Sequence, residues 1–207
     1  MKRTLSVMMA AILSAAMLAG CGEDGAANLA EREINLAVVL GRHANAPVPA
    51  FNTDDVRDLI LLGCQSYGSV ALIVGDGAPY VAADYKIDAP QKDLSSGKRE
   101  QIAEAQSAQV FGVLQSCAAM TEEADTLSAL ALAGRSLAGE QGSKELIVLD
   151  SGLSTTGYVD FTLGLLRADP DAVVSYLTQC AALPDLTGAH VTWIGLGDVA
   201  APQEKLT

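Results

Sequence analysis

The stretch Glu145-Leu146-Ile147-Val148-Leu149-Asp150 decides the fold. Its four apolar residues run without a polar alternation, so a strand here is covered on both faces, as interior strands of parallel sheets are. The same run delivers Asp150 and Ser151 to its C-terminal end. Three further segments read alike: Ile34–Leu40, bounded by Gly41; Val70–Val74; and Ala189–Leu196. After Val74 come Gly75-Asp76-Gly77 and then Tyr80-Val81-Ala82-Ala83, two short strands about a glycine-rich turn, which predicts a hairpin.

Helical patterns separate these strands. Asn52-Thr53-Asp54-Asp55 predicts a helix start, with acidic groups at the positive end of the dipole, and Val56, Leu59, Ile60 and Gly63 share one face before an end near Cys64. Residues 88–98 read as a loop. A helix is expected over 99–119 with Ile102, Val110, Val113, Leu114 and Cys117 inward, and another from Thr126 with Leu127, Leu130, Ala131, Gly134 and Leu137 inward. Asp169-Pro170 predicts a cap and first turn for a helix carrying Val173, Val174, Tyr176, Leu177 and Cys180. No internal repeat interrupts this order. The expected fold is α/β: an open, mostly parallel sheet with one antiparallel hairpin strand and helices on both faces. Ligands of such sheets meet loops at the C-terminal strand ends, here residues 41–47, 124–128, 150–155 and 195–198.

The N-terminus carries an export address. Lys2 and Arg3 are followed by an apolar run from Leu5 to Met17, roughly a dozen residues and short of the ~20 that span a bilayer as a helix. Leu18-Ala19-Gly20-Cys21 then matches a lipobox, whose cysteine thiol accepts a diacylglycerol. Residues 1–20 are expected to be a lipoprotein signal peptide, 21–32 a polar tether, and 33–207 a single domain, cut short at its C-terminus because Pro202 to Thr207 reads as the first turn of a helix. Acyl chains on Cys21 would place the protein at the cell membrane on its extracytoplasmic face.

Without residues 1–20 the chain keeps 11 basic residues against 25 acidic, a net charge of −14. Nucleic acid and anionic lipid headgroups are therefore poor partners, since both are recognised through Lys and Arg clusters. Aromatics make up 4% of a chain that is 50% hydrophobic, so the core is built from Leu, Val, Ile and Ala, and a carbohydrate-stacking groove is disfavoured. Cys64, Cys117 and Cys180 remain after lipidation, an odd number that permits at most one internal disulfide. Each lies in an apolar context suited to a small buried hydrophobe.

The polar candidates cluster at the strand ends. His43 has the chemistry of a ligand or base, and Asp150-Ser151-Gly152-Leu153-Ser154-Thr155 joins a carboxylate to three hydroxyls. His190 opens a strand and is too far from His43 in sequence for zinc-binding spacing. No Gly-x-Ser-x-Gly elbow is present. Gly195-Leu196-Gly197-Asp198 lacks the last glycine of a dinucleotide fingerprint and lies at the wrong end of the chain.

The order of elements resembles the von Willebrand factor A domain, which runs strand, helix, hairpin, helix, strand, helix, strand. Asp125-Thr126-Leu127-Ser128-Ala129-Leu130 resembles the family's Thr-x-x-x-x-Ala helix start, Leu149-Asp150-Ser151-Gly152 its strand end in Thr-Asp-Gly, and Val191 to Gly197 a late strand ending in Gly-x-Gly. The family's Mg²⁺ site uses Asp-x-Ser-x-Ser after the first strand. Here Gly41-Arg42-His43-Ala44-Asn45 stands there, so the resemblance implies a degenerate site without metal or cofactor. The lipobox, Leu40 to Pro47 and Gly195 to Ala200 further resemble bacterial lipoproteins in which such a domain precedes an OmpA-like peptidoglycan-binding domain; no such domain lies within these residues. The functional expectation is a binding module, not an enzyme. It would take an envelope protein or small polar ligand through His43, Asn45, Thr126, Asp150 and Ser151, with the membrane engaged through lipid on Cys21. The alternative is an envelope hydrolase using Asp150 and His43, a reading that a separation above ~10 Å would remove. A third class, a structural spacer, requires a flat strand-end edge.

Overall fold

The structure is a computed structural model that describes residues 32–43, 47–88 and 94–198. The signal, the tether with Cys21, Asn45 and the C-terminal helix start lie outside the described residues. The expected α/β fold is present. Five strands, β1 (Glu33–Gly41), β2 (Tyr67–Gly75), β3 (Tyr80–Ile87), β4 (Ser143–Leu149) and β5 (Ala189–Ile194), form one sheet in the order β3-β2-β1-β4-β5. β1 pairs in parallel with β2 and β4, β4 pairs in parallel with β5, and only β2 and β3 are antiparallel.

Burial on both faces explains the uninterrupted apolar runs of β1, β2 and β4; β5, expected to be covered in the same way, is instead an edge strand that ends at Ile194 with no buried residue and with Val191 exposed. Leu36, Val38 and Leu40 of β1 point to one core, together with Val70, Leu72, Ile147 and Leu149, while Ala37, Val39, Ala71, Ile73, Leu146 and Val148 point to the other. The first core is covered by α1 (Asp54–Gln65) through Val56, Ile60 and Cys64, and by α2 (Ser96–Ser116) through Ala103, Val110 and Leu114. The second is covered by α3 (Thr126–Leu137) through Ala129, Ala133 and Leu137. A last helix, α4 (Pro170–Gln179), follows two 3-10 turns and is capped by Asp169, whose carboxylate accepts from the Asp171 amide at 3.2 Å. Among the described residues no helix is long and apolar enough to cross a membrane.

Three helical expectations are corrected. α2 begins three residues early because Ser95 Oγ caps it, accepting from the Lys98 amide at 3.3 Å, and the stripe 103/107/110/114 is buried while Ile102 is exposed. α3 buries Gly134 and Leu137 as expected, but its other buried positions are Thr126, Ala129 and Ala133, while Leu127, Leu130 and Ala131 are only partly buried. Small side chains let that helix lie close to the strands, so bulk marks its shoulders and not its contact line. α4 buries only Leu177, leaving Val174 and Tyr176 half exposed, because it contributes to neither core cluster of the sheet.

Candidate functional site

The strand order sets the place. From β1 the chain moves outward to β2 and β3, then returns to β4 on the other side, so the topological switch point lies between the C-terminal ends of β1 and β4. His43, just past β1, and Asp150, just past β4, face each other across it. His43 Nε2 stands 3.1 Å from Asp150 Oδ1, and in the tautomer protonated at Nε2 it donates to that oxygen. The Thr126 hydroxyl at the start of α3 donates to Asp150 Oδ2 at 2.9 Å, and the Ser151 hydroxyl reaches Oδ1 at 3.5 Å. Four of the five expected ligand residues therefore meet at one carboxylate; the fifth, Asn45, lies outside the described residues.

This carboxylate is an interior group. Asp150 is 1% exposed, and the His43 side chain is equally buried. Its main chain is fixed as well: its amide donates to Ile194 O at 3.2 Å, and the Trp193 indole N–H donates to its carbonyl at 2.7 Å. Burying a carboxylate is costly unless donors replace its water, and the two or three donors here do so. Gly41 is part of the same arrangement, since a Cβ there would stand 2.8 Å from Asp150 Oδ1 and 3.2 Å from its Cβ.

A second buried carboxylate, unassigned by the sequence, positions the third loop. Asp76 in the hairpin turn is fully buried; Oδ1 accepts from the Ala78 amide at 2.8 Å, and Oδ2 from the Met120 and Thr121 amides at 2.7 and 3.2 Å. Its carbonyl accepts from the Asp125 amide at 2.9 Å, and Thr121 Oγ1 accepts from the Gly77 amide at 2.8 Å. The loop entering α3 is thereby tied to the end of β2. Asp125 then caps α3, accepting from the Ser128 amide at 3.0 Å, and Ser154 Oγ accepts from the Thr126 amide at 3.0 Å. The Gly-Asp-Gly turn was the available signal, but a turn aspartate does not by itself announce a partner 44 residues away.

Beside this hub opens a cavity of about 510 Å³, bounded by Arg42 and His43, by Val48, and by Cys117, Ala119 and Met120 of the loop after α2. An open depression therefore interrupts this edge. Burial pushes the Cys117 thiol up, with the Arg42 guanidinium pulling the other way, so it is not an activated nucleophile. All three described cysteines are free. His190 sits elsewhere, at the start of β5, with Nδ1 3.2 Å from Glu145 Oε2 on an exposed surface.

The donors do not fit Mg²⁺, the ion held by the family that the sequence resembles. Mg²⁺ requires near-octahedral oxygen ligands; among the described residues the carboxylate bonded at this junction is that of Asp150, with its oxygens committed to His43 and Thr126. No group of three or more His, Cys, Asp or Glu side chains with metal-holding geometry occurs among the described residues. No protein-family model and no curated protein matches the chain.

Proposed function

We propose that this chain is a lipid-anchored binding module of the cell envelope, held on the extracytoplasmic face by Cys21 and built on a von Willebrand A-like domain with a degenerate metal site. It captures an envelope protein or a small polar ligand through its strand-end loops. The observation that carries the reading is the convergence of His43, Thr126, Asp150 and Ser151 at the switch point, with a cavity of about 510 Å³ beside them. The segments that resemble the family's motifs, far apart in sequence, meet at that junction, and the order of strands and helices supports the same resemblance.

Two experiments test this. Cys21→Ser should abolish palmitate labelling and move the protein from the membrane to the soluble fraction; unchanged labelling and fractionation would rule out the anchor. Asn45→Ala should reduce recovery of crosslinked envelope partners while circular dichroism stays unchanged. Asp150→Ala should reduce it too, but it also leaves the Thr126 hydroxyl and His43 without their acceptor, so its stability must be measured alongside. Undiminished recovery with both folded variants would refute the docking rim.

One observation favours the hydrolase as second reading: His43 and Asp150 stand 3.1 Å apart, within reach for proton transfer and far inside the ~10 Å limit. An orienting carboxylate and a base are thus present, but no nucleophile among the described residues is hydrogen-bonded to His43, whose Nδ1 has no partner there. Turnover of chromogenic esters or peptides that disappears with His43→Gln would establish that reading over the binding module.

A further inference from the structure

Buried polar atoms in folded proteins are nearly always hydrogen-bonded, and exceptions call for a cause such as a bound molecule. Among the described residues two buried side-chain atoms lack a partner: Arg42 Nε and His43 Nδ1. They belong to adjacent residues that both line the depression beside the hub; with His43 Nε2 donating to Asp150, its Nδ1 is an acceptor, so of the two it is the Arg42 Nε donor that calls for a negative partner. The His43 side chain is 1% exposed.

Arg42 is held in place, and among the described residues no carboxylate neutralises it. Its amide donates to Gly75 O at 2.9 Å, its Nη2 donates to Leu114 O at 3.2 Å, and its guanidinium lies 5.8 Å from the Phe51 ring centroid. In a chain with 25 acidic residues, a fixed and unpaired guanidinium on a cavity wall is a specific feature. The rest of the wall is mostly apolar, and Val48 and Met120 are 61% and 74% exposed. An open depression of about 510 Å³ with mostly apolar walls and a few fixed polar groups falls in the size range of small-molecule sites. Glu122 also lines it, and Asp150 lies directly behind His43. A ligand with two negative groups would be repelled by these carboxylates, whereas one negative group can sit on Arg42.

We propose that this cavity binds a small organic monocarboxylate with an apolar body. The carboxylate sits on the Arg42 guanidinium, where a planar fork of donors matches its geometry, and the hydrocarbon lies against Val48, Ala119 and Met120. The proposal rests on the reading of the strand ends as a docking rim and names a ligand class for it.

Calorimetric titration of the full chain with sodium hexanoate should give saturable one-to-one binding, with hexan-1-ol and hexylamine at least ten-fold weaker. Arg42→Gln should weaken hexanoate at least ten-fold. Because Arg42 also holds Leu114 O, a second variant guards against a folding artefact: Ala119→Trp, at an exposed position on the wall, should fill the cavity and abolish binding with an unchanged melting temperature. Absence of saturable binding, equal binding of hexan-1-ol, or full hexanoate affinity in either variant would overturn the proposal. If hexanoate fails to bind while Asn45→Ala still reduces partner recovery, the ligand class is wrong and the rim stands. If hexanoate binds as stated while recovery is indifferent to Asn45 and Asp150, the cavity stands and the rim is wrong.

Discussion

Gly41 and Gly75 are register partners at the ends of β1 and β2, yet alanine should behave very differently at the two. A Cβ at Gly75 would meet nothing closer than 3.5 Å, against Ala129 Cβ and Val39 Cγ1, which is ordinary contact. A Cβ at Gly41 would stand 2.8 Å from Asp150 Oδ1, 2.9 Å from its Cγ and 3.2 Å from its Cβ. The carboxylate cannot rotate away freely, because Thr126 and His43 hold its two oxygens. Overpacking of this kind costs about 1–3 kcal/mol. A carboxylate pushed off His43 loses a hydrogen bond to a charged group, worth about 1.5–3 kcal/mol. These costs overlap, so the expected loss for Gly41→Ala is about 3 kcal/mol. Gly75→Ala should stay within ~1 kcal/mol of the parent, since the entropic gain of replacing glycine in a strand offsets small contacts.

Urea denaturation of both variants measures the difference. The clash involves the Asp150 side chain alone, so a double-mutant cycle isolates it: in an Asp150→Ala background, the added cost of Gly41→Ala should fall to under ~1 kcal/mol. Equal losses at Gly41 and Gly75, or an unchanged Gly41 loss without the Asp150 carboxylate, would refute the reasoning.

Thr126→Val keeps the shape of the side chain and removes the donor to Asp150 Oδ2; it should cost about 1.5–3 kcal/mol by the same denaturation assay. Asp76→Asn replaces a buried acceptor of three amide hydrogens with a group that has one acceptor oxygen. It should cost about 2–3 kcal/mol, with hydrogen exchange accelerated at the Met120 and Thr121 amides before the strands. The Cys64 thiol, buried on the inner face of the last turn of α1, is pushed up to about 11, so a disulfide reagent at pH 8 should label Cys180 and Cys117 in the native protein and Cys64 only on unfolding. Because the native thiol holds its proton above the ordinary value of 9.0, its linkage lowers stability as pH rises from about 9 through about 11. Cys64→Ala should remove that part of the alkaline loss.

Much of the fold was legible because burial on both faces writes itself as unbroken runs of Val, Ile, Leu and Ala. Ile34–Leu40, Val70–Val74 and 145–150 needed no tertiary information to be read as interior strands, and Thr53 and Asp169 announced helix starts that their side chains indeed cap. The faces of α2, α3 and α4 were less legible. Periodicity counts bulk, but α3 meets the sheet through Ala129 and Ala133, and α4 leaves Val174 and Tyr176 outside. At the site, the strand-end rule brought together His43, Thr126, Asp150 and Ser151 without naming their bonds. The roles of Gly41, Arg42 and Asp76 depend on loops separated by tens of residues, and nothing local encodes such contacts.

The placement of one carboxylate has a consequence for how the proposed rim would bind. Asp150 is buried where β1 and β4 part, and its charge is compensated by Thr126, by His43 and, at longer range, by Ser151. Gly41 leaves room for it: the clash at 2.8 Å means that a side chain at position 41, the last of β1, and this carboxylate cannot both occupy the junction. An oxygen-rich cradle shared by the two strand ends is therefore not available, and a divalent cation would have to displace existing donors to reach the single carboxylate. Partner capture by the rim should then be indifferent to metal. Recovery of crosslinked envelope partners should be the same in millimolar EDTA as in millimolar Mg²⁺, while a salt titration should weaken a carboxylate on Arg42, whose attraction is screened over ~10 Å at 0.1 M ionic strength. Capture that EDTA abolishes and Mg²⁺ restores would mean that the Asp150 hydrogen bonds open to admit a cation, and the picture of a closed, self-satisfied junction would have to be given up.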